Sequence, residues 1–291
     1  MIDSSFSFTF PKETVLVVND APRNRIYYAT DDTIFEVSSG KRHRFSELKF
    51  PTTILISPQG NQLLVDYVLM DAATLRPLHR FETGQTWWEG QKPCLLPPDS
   101  DKPEFLADTS GKYFLAAHCL GPGTEKNGWC PDYRLELVEH LPSGKRYRQK
   151  ICDTGLDPGS TGFPCHFGAW DAQSAVFGIP WGGATGDDYL CYMLQGKAHQ
   201  CLKDKNGFDL YFEKQPLRTK SAIVGLACAN GKEGMMGRVQ ASYLYRLNAQ
   251  QFILEPVDKR TVLVTIDRRG EVLLGIRIAK GVVLAKPKGR Q

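Results

Sequence analysis

Alternation of apolar and polar residues runs through most of the chain. Phe6, Phe8 and Phe10 alternate with Ser7 and Thr9 near the N-terminus, Tyr133, Leu135 and Leu137 with Arg134 and Glu136 in the middle, and Leu274, Ile276 and Ile278 with Gly275 and Arg277 near the end. A two-residue period puts each set on one face of a strand. One pattern recurs: an alternating strand, a turn of small or polar residues, then a second strand. It appears in TIFEVSSGKRHRF from Thr33, YVLMDAATLRPLHRF from Tyr67, RLELVEHLPSGKRYRQKI from Arg134, YLCYMLQGKAHQCL from Tyr189, SYLYRLNAQQFILEPV from Ser242 and LLGIRIAKGVVLAKP from Leu273. Upstream of most copies lies another hairpin with its own Asp, Ser or Gly turn signal, as in ILISPQGNQLLVD from Ile54, FLADTSGKYFLAAH from Phe105, GAWDAQSAVFGIP from Gly168 and VLVTIDRRGEVLL from Val262.

Two consecutive hairpins make a four-stranded antiparallel meander. In the fifth copy, Val239, Tyr243, Leu244 and Leu247 also suit a helix; periodicity does not separate the two in so short a run, and a strand is expected. The last copy supplies three strands, and the unpartnered N-terminal strand is expected to complete it, removing an open edge. Repeated four-stranded units of this size resemble a β-propeller. The resemblance implies an all-β chain, a single propeller domain over residues 1–291 with about six four-stranded blades. It stops at architecture: there is no Trp-Asp signature, no kelch-like glycine pair and no sialidase-type aspartate box. Pro-, Gly- and Cys-containing stretches near residues 85–103, 119–133 and 152–166 read as insertions.

A hydrophobic fraction of 42% with 23% charged residues belongs to an ordinary folded protein, and a net charge of +4 is far from that of a dedicated nucleic-acid binder. The basic stretch from Lys280 to Arg290 reads as a solvated terminus. MIDSSFSFTF has neither the basic nor the apolar region of a signal peptide. No run approaches the roughly 18 apolar residues of a membrane-spanning helix, so membrane insertion is not expected.

The eight cysteines are even in number. Even sets suggest disulfides, hence a periplasmic or secreted protein, with a reduced cytoplasmic protein as the alternative. Cys191 and Cys201 flank Gln195-Gly196-Lys197 at equal spacing, which predicts that they face each other across a hairpin. Cys119 with Cys130 and Cys152 with Cys165 would close insertions, leaving Cys94 with Cys228. His118-Cys119, Cys165-His166 and His199-x-Cys201 juxtapose zinc-type ligands, but neighbouring strand residues diverge and no Cys-x-x-Cys occurs. No metal and no cofactor is expected.

Trp87, Trp88, Trp129 and Trp181 fall in the insertions and linkers, as loop aromatics suited to anchoring a partner. PWGGATGDDYLC, residues 180–191, adds Asp187 and Asp188, the weak catalytic candidates; without a Gly-Lys-Ser/Thr ending it is no phosphate loop. Asp66, Asp108, Asp171 and Asp267 are further carboxylates, mostly at turn positions where Asp caps backbone. No nucleophile motif of the Gly-x-Ser-x-Gly or His-Glu-x-x-His kind is present. The expected function is non-enzymatic binding of another protein through loop aromatics on one rim. An exported carboxylate-dependent hydrolase or lyase acting on a sugar or ester is the alternative, and a carbohydrate-binding module a further one.

Overall fold

The computed structural model describes residues 8–46, 48–49, 51–81, 85–89, 92–96, 104–108, 112–119, 132–140, 146–155, 165–180, 189–195, 198–212, 215–230, 239–267 and 269–287. Among them every regular element is a β-strand except one 3₁₀ turn at Ala21–Arg23. The fold class is the one that the alternation predicts: an all-β chain of the β-propeller type, built of antiparallel meanders.

The first blade joins β1 (Leu16–Asp20), β2 (Arg25–Ala29), β3 (Thr33–Glu36) and β4 (Arg42–Arg44) in sequential order. The second does the same with β5 (Ile54–Ile56), β6 (Gln62–Val65), β7 (Val68–Asp71) and β8 (Pro77–Arg80). Tyr27, Ala29 and Ile34 of the first blade and Leu63, Val65 and Met70 of the second share one core, closed by Phe45 and Leu48. Residues 85–103, expected as an inter-blade loop, contain instead a hairpin of β9 (Gln85–Glu89) and β10 (Lys92–Leu96). Thr86, Trp87 and Trp88 form a run of high strand propensity, which prevails locally over the surrounding Pro and Gly.

The third blade orders β11 (Glu104–Ala107), β12 (Tyr113–Cys119), β13 (Asp132–His140) and β14 (Arg146–Gly155). Leu135 and Leu137 are buried while Arg134 is exposed, as the alternation requires. Next come β15 (Cys165–Asp171), β16 (Ser174–Pro180), β17 (Tyr189–Gln195) and β18 (Ala198–Cys201), then β19 (Leu210–Phe212), β20 (Leu217–Arg218), β21 (Ile223–Asn230), β22 (Val239–Leu247) and β23 (Phe252–Val257). These two groups form one nine-stranded sheet, because β19 pairs with β17 at Leu190 and Tyr211. The ambiguous run from Val239 is a strand, paired along β21 from Ile223↔Leu247 onward. It carries Tyr243, Leu244, Tyr245 and Leu247 into buried positions on both faces, which explains the helix-like spacing.

β24 (Thr261–Ile266), β25 (Val272–Ile278) and β26 (Gly281–Ala285) make the last blade. Its fourth position is taken by the N-terminal segment: Phe10 N–H donates to Val282 O and Val282 N–H donates to Phe10 O, both at 2.9 Å. A Cβ on Gly281 (φ +153°) would stand 2.0 Å from Phe10 O, so glycine is what lets the two strands meet. Phe10 is fully buried, between Val17, Ile26 and Tyr28 on one side and Leu263, Leu273, Val282 and Leu284 on the other.

The chain divides into two compact units, residues 1–95 with 257–291, and residues 96–256. Within the second, the buried Asp108 carboxylate accepts from Tyr113 N–H at 3.2 Å and lies 3.9 Å from the Arg218 guanidinium. Arg218 also donates to the carbonyls of Ala169 and Trp170 and stands 5.1 Å over the Trp170 ring, tying the third blade to the next.

Candidate functional site

In the first unit, the outermost strands of two consecutive blades end on the same triplet, His43-Arg44-Phe45 and His79-Arg80-Phe81. The turns that deliver them are fixed by carboxylates. Glu36 accepts from Ser38 N–H (3.0 Å), Ser39 N–H (2.8 Å) and the Ser38 hydroxyl; Asp71 accepts from Thr74 N–H and its hydroxyl, both at 2.7 Å. The Lys41 ammonium donates to Ala73 O at 2.7 Å, linking one turn to the other.

Each triplet then closes onto the strand beside it. Phe45 N–H donates to Asp32 O at 2.7 Å and Phe81 N–H to Tyr67 O at 2.9 Å. The histidine rings meet the phenylalanines edge to face, with centroids 5.2 Å apart for His43 and Phe45 and 4.7 Å for His79 and Phe81. Burial pushes the His43 pKa down, favouring the neutral imidazole. The arginines stay outside. Arg80 stands 5.3 Å over the Tyr67 ring, and Arg44 reaches Asp32 through Nε at 2.7 Å while its side chain is 80% exposed.

Asp32, Arg44, Phe45, Ser46 and Lys49 line an open pocket of about 370 Å³. The Thr33 hydroxyl, donating to Asp32 at 2.6 Å, and the Arg44 guanidinium hold the Asp32 carboxyl below the usual range, with Lys49 adding to the effect. Lys49 is exposed and closes no ion pair among the described residues. Arg42 is exposed on the same edge strand, and β8 is exposed throughout, with Leu78 at 52%. The surface is therefore basic, with an apolar residue on one strand and an aromatic floor to the pocket.

The further carboxylates Asp66, Asp171 and Asp267 are engaged by backbone. Asp171 accepts from Gln173 N–H at 2.8 Å; Asp267 accepts from Arg269 and Glu271 N–H at 2.7 and 2.8 Å. Asp66 sits at φ +47° in the turn between β6 and β7, and accepts from the N–H and hydroxyl of both Thr52 and Thr53 at 2.8–3.2 Å. Burial nevertheless pushes its carboxyl up. A raised carboxyl holds its proton more tightly in the folded than in the unfolded chain, so its protonation stabilises at low pH and that contribution is lost as pH climbs through the raised value. Asp66→Ala is expected to cost about 2 kcal/mol, from the lost acceptors and the left-handed backbone, and Asp66→Asn less because asparagine tolerates positive φ. Urea unfolding of wild type and the asparagine variant from acid to neutral pH checks both: wild type should lose ground to the variant as pH rises.

Trp87 and Trp88 lie in strand β9, not in a loop. Trp129, Trp181, Asp187 and Asp188 lie outside the described residues, as does Cys130. Cys94 falls in β10, Cys119 at the end of β12, Cys152 in β14 and Cys165 at the start of β15. Cys228 is buried in β21, opposite Tyr211 and Ser242. Cys201 is opposite Tyr192 and not Cys191, which faces Gly178 in the ladder with β16. The offset arises because Gln195 pairs with Ala198, leaving two residues between the paired positions where equal spacing implied three.

Sequence reasoning used GKRHRF only as a hairpin turn. The signal for the site was its resemblance to LHRF one blade later, two identical triplets at matching places in the repeat. That Lys49 faces Asp32 was not legible, since it depends on the path of the segment after β4.

No family model matches the chain, and no curated protein matches it. Among solved structures it is similar to the N-terminal domain of Nup159, at 11% identity and a TM-score of 0.48, covering 95% of this chain and 90% of that one. It is also similar to an ancestral GH74 enzyme at 12% identity and 0.41, covering 92% and 35%, and to the WD40 domain of SCAP from fission yeast at 8% and 0.28, covering 94% and 81%.

Proposed function

We propose that this chain is a non-enzymatic protein-binding propeller, a single domain whose strands hold a recognition surface in place. The observation that carries the reading is the paired outer edge of the first two blades. The same triplet recurs with its histidine and phenylalanine rings edge to face in both copies and its arginine exposed. Arginine and aromatic side chains on stiff supports are the groups that concentrate binding energy at protein interfaces. The turn carboxylates fix the backbone that carries them, which lowers the ordering cost of binding. Trp87, Trp88, Trp129 and Trp181, with Asp187 and Asp188, are the further contact residues in this reading.

Genetic incorporation of a photoreactive phenylalanine at position 42, 78, 87 or 88 in cells of the source organism tests it. Irradiation should convert the full chain to a discrete adduct of higher mass containing a second protein. Absence of adducts from all four positions overturns the reading.

A further inference from the structure

Arg42 and Arg44 are both exposed on β4, the last strand of its sheet among the described residues. Two residues apart on a strand, they share a face and repeat at about 6.8 Å. Lys49 extends the row into the pocket beside Arg44. The neighbouring carboxylates keep their charge but are turned inward or into turns: Glu36 is buried and bonds Ser38 and Ser39, Asp71 bonds its own turn, and Asp32 takes only the Nε of Arg44, whose side chain stays 80% exposed, while Arg42 and Lys49 are exposed and close no ion pair among the described residues. An extended chain with a carboxylate at every second residue has the same repeat. Laid along an edge strand, it can offer backbone hydrogen bonds as well as charge.

We infer that the outer edge of the first blade docks an extended acidic segment of a partner protein, alternate carboxylates meeting Arg42 and Arg44 and one of them entering the pocket between Arg44 and Lys49. This rests on the protein-binding reading and names the class of partner. A different role for the same charges is protection of the edge against self-association, which requires no ligand.

Fluorescence anisotropy with a fluorescein-labelled decapeptide of alternating glutamate and serine separates the two. The full chain should bind it saturably at low salt and release it between about 25 and about 300 mM salt. R44E/K49E should weaken binding about tenfold or more, whereas K205E/K220E, an equal charge change at exposed lysines of the second unit, should stay within about twofold. The lysine-serine decapeptide should not bind. If R44E/K49E melts below wild type, R44Q/K49Q takes its place with the same expectation. No saturable binding, or equal losses in the two charge-matched variants, overturns the inference. If the peptide fails while photoadducts persist, only the acidic assignment falls; if the adducts are absent as well, the protein-binding reading falls with it.

Discussion

Phe10→Ala will lower the unfolding free energy by about 3–5 kcal/mol, the usual cost of removing a buried aromatic ring from a packed core. Phe10 is fully buried, and its ring stands 5.4 Å from that of Tyr28 and 4.8 Å from that of Phe8. The loss has two parts. The cavity would open between the first blade and the last, where Leu263 and Leu284 meet Val17 and Ile26. The two hydrogen bonds to Val282 would then hold a segment with little left to anchor it. Phe10→Leu, which keeps most of the volume, should cost about 1–2 kcal/mol. Calorimetry should show the alanine variant melting on the order of 10 °C lower. Hydrogen exchange should show the Val282 amide losing protection before the amides of β1 do. A change under about 0.5 kcal/mol, the range of ordinary surface substitutions, would mean that the N-terminal segment is a tail and not a strand of the last blade.

The second large effect is at Arg23. Its guanidinium bonds Asp20 Oδ1 at 3.0 Å and Pro58 O at 3.2 Å, joining the end of β1 to the turn before β6. It occupies the space where a Cβ on Gly60 would stand. Asp20 is only 3% exposed, and its Oδ2 has no partner among the described residues. Arg23→Ala removes the one cation hydrogen-bonded to that buried carboxylate among the described residues, leaving it only the weaker field of Arg25, and about 3 kcal/mol is expected. Removing both charges together as Asp20→Asn with Arg23→Met should cost less than Arg23→Ala alone, because the uncompensated charge makes up most of the penalty. Urea midpoints of the three proteins test this; a double variant worse than the single would show that the contact with Pro58 and the packing over Gly60 matter more than the charge.

Most strands were legible because one face is apolar: Leu135 and Leu137 are buried while Arg134 is exposed. In β25, where Val272 to Gly275 are all buried, only Arg277 marks an open face. The closing strand was legible from a mismatch, since SFSFTF has no local partner and the final repeat lacks one strand. Register was less so. Whether Gln195 pairs with Ala198 or lies in the turn changes the residue facing Cys201, and composition does not decide between turns that differ by one residue. The hairpin at Gln85–Leu96 was hidden by glycines and prolines that mark ends of strands as readily as loops. The basic edge was visible only as a charged turn, because its pocket depends on where Lys49 returns toward Asp32.

The proposed binding of another protein along the outer edge of the first two blades is tested most directly by a position-resolved photocross-linking profile in cells of the source organism, with the reactive side chain placed in turn at Arg42, Leu78, Lys205 and Gln250, all four exposed. One partner of constant mass should be captured from positions 42 and 78, and lost from position 42 when R44E/K49E is introduced, with no such product from positions 205 and 250. Capture from 205 and 250 with the same yield, or from none of the four, would contradict it.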